Sequence, residues 1–183
     1  MYLNPQNCHY QSCYCEENIW HLCQHPACTG STVVFIASHS NMFPMLYQKA
    51  MADPATPILW DYHVILLLHE KPAQILDFDT TLSFCSDLQT YLQQSFLPEE
   101  LVAEEYRPYF RLIPARDYIR DFRSDRSHMR TEDGWSAPPP DWPVIGDGGS
   151  NLARFIDMRD QSIGEVLSYQ ELLAYAGQSC GNT

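Results

Sequence analysis

The chain has 183 residues, with 45% hydrophobic, 13% aromatic and 19% charged, which suits one well-cored domain and excludes a disordered chain. Its net charge of −12 repels phosphate backbones but not a cation such as a peptide's free α-amino group, so nucleic acid is not an expected partner. No apolar run approaches the roughly 20 residues of a membrane span, and Met1 to Asn7 lack the basic and apolar regions of a signal peptide. A monomer in the cytoplasm, with the nucleus also open, is the default expectation.

One domain is expected over 1–183, with 1–11 flexible and 123–151 a long polar loop. Seven cysteines (Cys8, Cys13, Cys15, Cys23, Cys28, Cys85 and Cys180) read as thiols, ligands or a nucleophile in a reducing compartment. Five cluster with His9, His21 and His25, which raises a zinc site. Zinc modules use paired Cys-x-x-Cys spacing, and only Cys13-x-Cys15 occurs here, so the favoured reading has no metal and no cofactor.

Cys15 to Cys23 reads as a helix, with Ile19, Leu22 and Cys23 on one face and Glu16 and Glu17 in its first turn. Thr32 to Ala37 is a strand. Met42 to Gln48 returns as its partner, with Pro44 at an edge or bulge. Pro54 to Pro57 is a loop, Ile58 to His69 a central strand, Glu70 to Pro72 a turn and Ala73 to Asp79 the next strand. Ser86 to Phe96 is helical, Phe110 to Ile113 a strand and Ala115 to Phe122 a helix. Ser168-x-x-Glu171 is a capping box opening a helix that stops at Gly177. This order fits an α+β domain with a mostly antiparallel sheet.

The central strand contains Trp60-Asp61-Tyr62-His63-Val64, a charged cluster in an apolar run. Buried polar groups need partners, and a lone His would read as a satisfied core residue. His63 is not alone. A thiolate is the reactive form of cysteine, and a helix N-terminus or an imidazolium favours it, so Cys15 is the candidate nucleophile. Glu16 and Glu17 oppose a thiolate, so His63⁺ and the helix end must outweigh them or the glutamates must point to solvent. His63 would serve as base and acid, oriented by a carboxylate. If His69 faces Ala73, positions 63, 77 and 79 share one sheet face. Asp77 or Asp79 is then the partner, and spacing does not choose between them. Trp60, Tyr62 and Val64 should pack on the other face, while Asp61 shares the face of His63.

Cys13 to Trp20, Trp60 to Val64, Leu76-Asp77-Phe78-Asp79-Thr80 and Ser124-Asp125-Arg126-Ser127-His128-Met129 together resemble the protein N-terminal glutamine amidohydrolase family, also called the WDYHV-motif family. The likeness runs in order from about Ser12 to Tyr175. It implies a papain- or transglutaminase-like α+β fold, its sheet flanked by helices, with a Cys15–His63–Asp77 triad. The implied reaction converts an N-terminal Gln of a protein or peptide to Glu and releases ammonia, without metal or cofactor. In the N-degron pathway the new Glu is arginylated and the protein is degraded. The segment between Cys23 and Thr32 is shorter than in vertebrate members.

Selectivity would need an acceptor for the substrate α-ammonium, for which Asp61, Asp125 and Glu16 are candidates, and a closed pocket, which Ser127 and His128 would help line. A cysteine peptidase, a transglutaminase-like enzyme acting on internal Gln, a non-catalytic domain and a zinc module are the rival readings.

Overall fold

The computed structural model describes residues 3–40 and 42–179; Cys180 lies outside them. The strands are β1 (Thr32–Ala37), β2 (Phe43–Met45), β3 (Ile58–Trp60), β4 (Tyr62–Leu68), β5 (Gln74–Leu76), β6 (Cys85–Asp87), β7 (Tyr109–Pro114), β8 (Arg130–Thr131), β9 (Gly134–Trp135) and β10 (Glu165–Ser168). The helices are α1 (Cys15–Leu22), α2 (Leu88–Ser95), α3 (Ala115–Asp121), α4 (Leu152–Ile156) and α5 (Tyr169–Ser179). Six strands form one antiparallel sheet in the order β10-β7-β1-β4-β5-β6.

β1 and β4 are central, and both faces of each are covered, which is why they read as nearly unbroken apolar runs. On one face Val33, Phe35, Val64 and Leu66 meet Ile19 and Leu22 of α1, Tyr118 of α3 and Phe155 of α4. On the other, Val34, Ile36, Ile65 and Leu67 meet Leu88 and Leu92 of α2 and Leu172 and Ala176 of α5. The result is three layers, helices on sheet on helices, each buried Phe or Leu contributing about 1.5–3 kcal/mol. Among the described residues no helix is long and apolar enough to cross a membrane.

The expected hairpin register is observed: Leu66 pairs with Leu76, Leu67 with Ile75 and Leu68 with Gln74. β5 ends at Leu76, and the chain then turns, with Asp77 N–H donating to the Phe84 carbonyl. Ser168 and Glu171 form the expected capping box: Ser168 N–H and Oγ–H each donate to Glu171 Oε2 at 2.7 Å.

Three expectations are corrected. Ile58 to His69 is two strands, because the chain bends at Asp61, whose carboxylate accepts the Tyr62 N–H at 2.9 Å. β2 pairs with β3 in a separate two-stranded ribbon, not with β1; Pro44, lacking an N–H, is tolerated in such an edge strand. α5 continues past Gly177 to Ser179, because Gly177 does not take the left-handed conformation that would end it.

Candidate active site

α1 starts at Cys15, so the thiol sits where first-turn N–H groups have no intrahelical partner. A cavity of about 350 Å³ opens beside it, within the size range of small-ligand sites. Cys13, Cys15, Trp60, Asp61, Tyr62, His63, Asp79 and His128 line it. Thus the helix start, the bend before β4 and the turn after β5 converge on one concavity.

His63 is fully buried on β4. Its Nε2–H donates to Asp77 Oδ1 at 3.0 Å, which leaves Nδ1 as the ring nitrogen for proton transfer. Asp77 is equally buried and well satisfied: Oδ1 also accepts the Asp79 N–H at 2.8 Å, and Oδ2 accepts Tyr91 O–H at 2.8 Å. Burial disfavours both charges, yet each offsets the other's cost. His63 therefore titrates above its ordinary value and Asp77 below its own. Asp79 was the alternative partner. It makes no hydrogen bond to His63; its Oδ1 accepts Tyr10 O–H at 2.7 Å. Burial and the neighbouring Asp77 charge raise its pKa.

Trp60 does not pack with Tyr62 and Val64 as strand alternation predicts. The bend at Asp61 turns its indole onto the His63 ring, with centroids 5.7 Å apart and planes inclined by 13°. Trp60 Nε1–H donates to Gln48 Oε1 at 3.3 Å, so a buried amide positions the indole that covers the imidazole. Tyr62 and Val64 pack into the core as expected.

Glu16 and Glu17 do not point to solvent; both are fully buried. Glu17 is neutralised by Arg126, whose Nε and Nη2 each donate at 2.8 Å, and it also accepts Trp142 Nε1–H at 2.8 Å. Arg126, at a left-handed φ of 62°, further donates to the carbonyls of Pro140 and Trp142. One guanidinium therefore clamps the 123–151 segment onto α1. Glu16 accepts Tyr62 O–H at 2.9 Å and lies 3.8 Å from the Cys15 sulfur. Its second oxygen is 3.4 Å from His128 Nε2 and makes no hydrogen bond. Burial pushes the Cys15 thiol well up, aided by Glu16, Asp79 and Asp61, while the Val64 N–H pulls the other way. The expectation that the helix start lowers this pKa is thus corrected: burial and three carboxylates outweigh it.

Of the expected ligand-binding residues, Asp61 and His128 line the cavity. Glu16 lies behind it, engaged with Tyr62 and His128. Asp125 and Ser127 are not among its lining residues; the Asp125 carboxylate accepts the Ser127 N–H at 2.9 Å and shapes the turn that presents His128. Met129, Ser136, Leu152 and Ile156 complete the wall. Sequence spacing carried no signal for them, nor for Tyr91, which read as the apolar face of α2. Cys23 and Cys28 are buried in the core. Among the described residues only His63, Asp77 and Asp79 bring three ligand-type atoms within 4.8 Å, and both Asp77 oxygens are already engaged. The N-terminal cysteines and histidines form no such set.

Residues 10–176 match the family model described as N-terminal glutamine amidase. A protein from Bos taurus named protein N-terminal glutamine amidohydrolase is 41% identical over 169 residues, covering 86% of this chain and 80% of the relative. A protein of the same name from Homo sapiens is also 41% identical over 169 residues, covering 86% of this chain and 81% of its own. One from Danio rerio is 38% identical over 182 residues, covering 93% of this chain and 90% of its own. With the Cys15, His63 and Asp77 geometry already described, these matches make the assignment plain: the chain belongs to the N-terminal glutamine amidase family.

Proposed function

We propose that this protein hydrolyses the side-chain amide of an N-terminal glutamine, giving glutamate and ammonia. One observation carries the reading: a helix-start thiol and a histidine held by a buried aspartate border the same cavity. Relatives bearing the name protein N-terminal glutamine amidohydrolase support it. A papain- or transglutaminase-like arrangement is part of the proposal, supported by the chain order: nucleophile on a helix, then histidine and aspartate on successive antiparallel segments.

In the free protein the thiol is protonated. As Cys15 Sγ attacks the glutamine side-chain carbonyl carbon, its proton passes to His63 Nδ1, and the imidazolium is stabilised by Asp77. The Cys15 N–H, at the start of α1, is the proposed oxyanion donor, a contribution of roughly 3 kcal/mol. His63 returns the proton to the departing nitrogen, the C–N bond breaks, and ammonia leaves a γ-glutamyl thioester. His63 then takes a proton from water as it attacks that carbonyl. The C–S bond breaks, the thiol is reprotonated and glutamate is released.

Asp61 is the proposed acceptor for the substrate α-ammonium, since it lines the cavity whereas Asp125 and Glu16 do not. Asp79 also lines the cavity and adds a second carboxylate to it. A cation bound at this point offsets the carboxylates that hold the thiol protonated, so an acetylated N-terminus loses both binding and activation.

The test is ammonia release from short peptides beginning with Gln, Asn or acetyl-Gln, or carrying Gln second. Turnover is expected for the first alone. Cys15→Ala should abolish it, Cys13→Ala should retain most of it, and Asp61→Asn should raise KM for Gln peptides. Comparable turnover of acetyl-Gln or internal Gln would instead support the internal-Gln reading.

A further inference from the structure

Among the described residues six large apolar side chains are exposed, and four of them border a single groove: Met42, Leu59, Leu101 and Tyr106, at 42%, 59%, 72% and 37% exposure. Pro44 and Val102 also line it, and its volume is about 240 Å³. Isolated exposed leucines are ordinary; a contiguous apolar patch with a polar rim is the usual mark of an interaction surface. The groove shares no lining residue with the cavity around Cys15. One wall is the β2–β3 ribbon, which stands outside the main sheet. The other is formed by two 3-10 turns, Glu99–Leu101 and Glu104–Tyr106.

Those turns carry four acidic residues. Glu99 accepts the Gln170 amide at 2.7 Å, while Glu100, Glu104 and Glu105 are exposed. The nearby cation, Arg107, is directed at the Val102 carbonyl, to which its Nε–H donates at 3.2 Å. The groove is therefore lined by apolar residues, and the turns that flank it on one side carry exposed glutamates. We propose that it docks a short segment of a partner protein that presents apolar side chains flanked by lysine or arginine. The apolar side chains would fill the groove, and the basic ones would meet the three free glutamates. A second copy of this chain is a poor occupant, because it brings a net charge of −12 against the same glutamates.

The probe is a fluorescein-labelled amphipathic peptide of leucine and lysine, read by anisotropy with the full chain, beside Leu/Glu and Ser/Lys controls. Saturable binding of the Leu/Lys peptide is expected. Leu59→Ser and Leu101→Ser should each weaken it roughly tenfold. Both side chains are largely exposed, so thermal unfolding and turnover of Gln peptides should be retained. Replacing Glu100, Glu104 and Glu105 together with glutamine should weaken binding and flatten its salt dependence. If the serine variants or the Ser/Lys peptide bind as tightly as the originals, the attraction is general charge and the proposal fails. Equal binding of the Leu/Glu peptide removes the role of the glutamates. Concentration-dependent dimerisation abolished by Leu101→Ser would make a second copy the occupant and overturn the assignment.

Discussion

Replacing Asp77 with asparagine keeps the side-chain volume and an oxygen that can still accept the Asp79 N–H and His63 Nε2–H, now made at 2.8 and 3.0 Å. What disappears is the charge. In the resting protein His63 can be neutral, so the loss there is small. During thiol attack His63 carries the proton, fully buried and without its counter-ion. Removing one partner of a buried pair costs about 3–5 kcal/mol. At about 1.36 kcal/mol per decade, the rate should fall roughly 10²- to 10⁴-fold. Tyr91→Phe removes one hydrogen bond from Asp77 but leaves the charge, so its cost should be at most about tenfold. The assay is initial-rate ammonia release from a Gln-initiated peptide across pH. Because Asp77 holds the His63 pKa up, the acid limb of the Asp77→Asn profile, where His63 becomes protonated and can no longer take the thiol proton, should also move to lower pH. If Asp77→Asn retains more than a tenth of the activity, or if Asp79→Asn costs more, the assignment of Asp77 as the orienting group is refuted.

Arg126→Met leaves Glu17 buried and unpaired, so stability should fall by about 3–5 kcal/mol. Denaturant unfolding measures this, and a further Glu17→Leu change should recover part of the loss; no recovery would contradict the pairing. Ser168→Ala removes one arm of the α5 capping box and should cost about 1 kcal/mol, a fall in Tm of roughly 2–4 °C. The His63–Asp77 pair also links stability to pH. Asp77 is depressed when folded, so its contribution is present above the unfolded value of about 3.9 and lost as pH falls through the folded one. His63 is raised, so its contribution is present below about 6.5 and lost as pH rises through its folded value. Urea titrations should therefore show the pair's full contribution at about pH 4–6.5, and Asp77→Asn should flatten the acid limb.

Much of this architecture was legible because local chemistry and tertiary context agree. β1 spans Thr32 to Ala37 as its β-branched run indicates, and α1 starts at Cys15. The hairpin register follows from the turn at Glu70 to Pro72. Two of the differences show a locally valid pattern overridden by its tertiary setting. Trp60 obeys strand alternation in sequence, yet the break at Asp61 turns it onto His63. Glu16 and Glu17 suit a first turn exposed to water, but the clamp from Arg126 closes over Glu17.

By itself the sequence determined most of the core elements, the identities of the nucleophile and acid/base candidates, and the family, because these depend on side-chain type and short-range periodicity; the short edge strands β6 and β10 and the helix α4 carried no such signal. The choice of Asp77 over Asp79 as the His63 partner required the tertiary structure. Continued past Leu76, the register would put both aspartates on one face; the turn that follows instead, with the Tyr91 hydroxyl and the Asp79 N–H converging on Asp77, directs one carboxylate to the imidazole and the other to Tyr10. The electrostatic setting of Cys15 was likewise decided in three dimensions. The carboxylates that hold its proton come from residues 16, 61 and 79, and no local spacing brings the last two to a helix start.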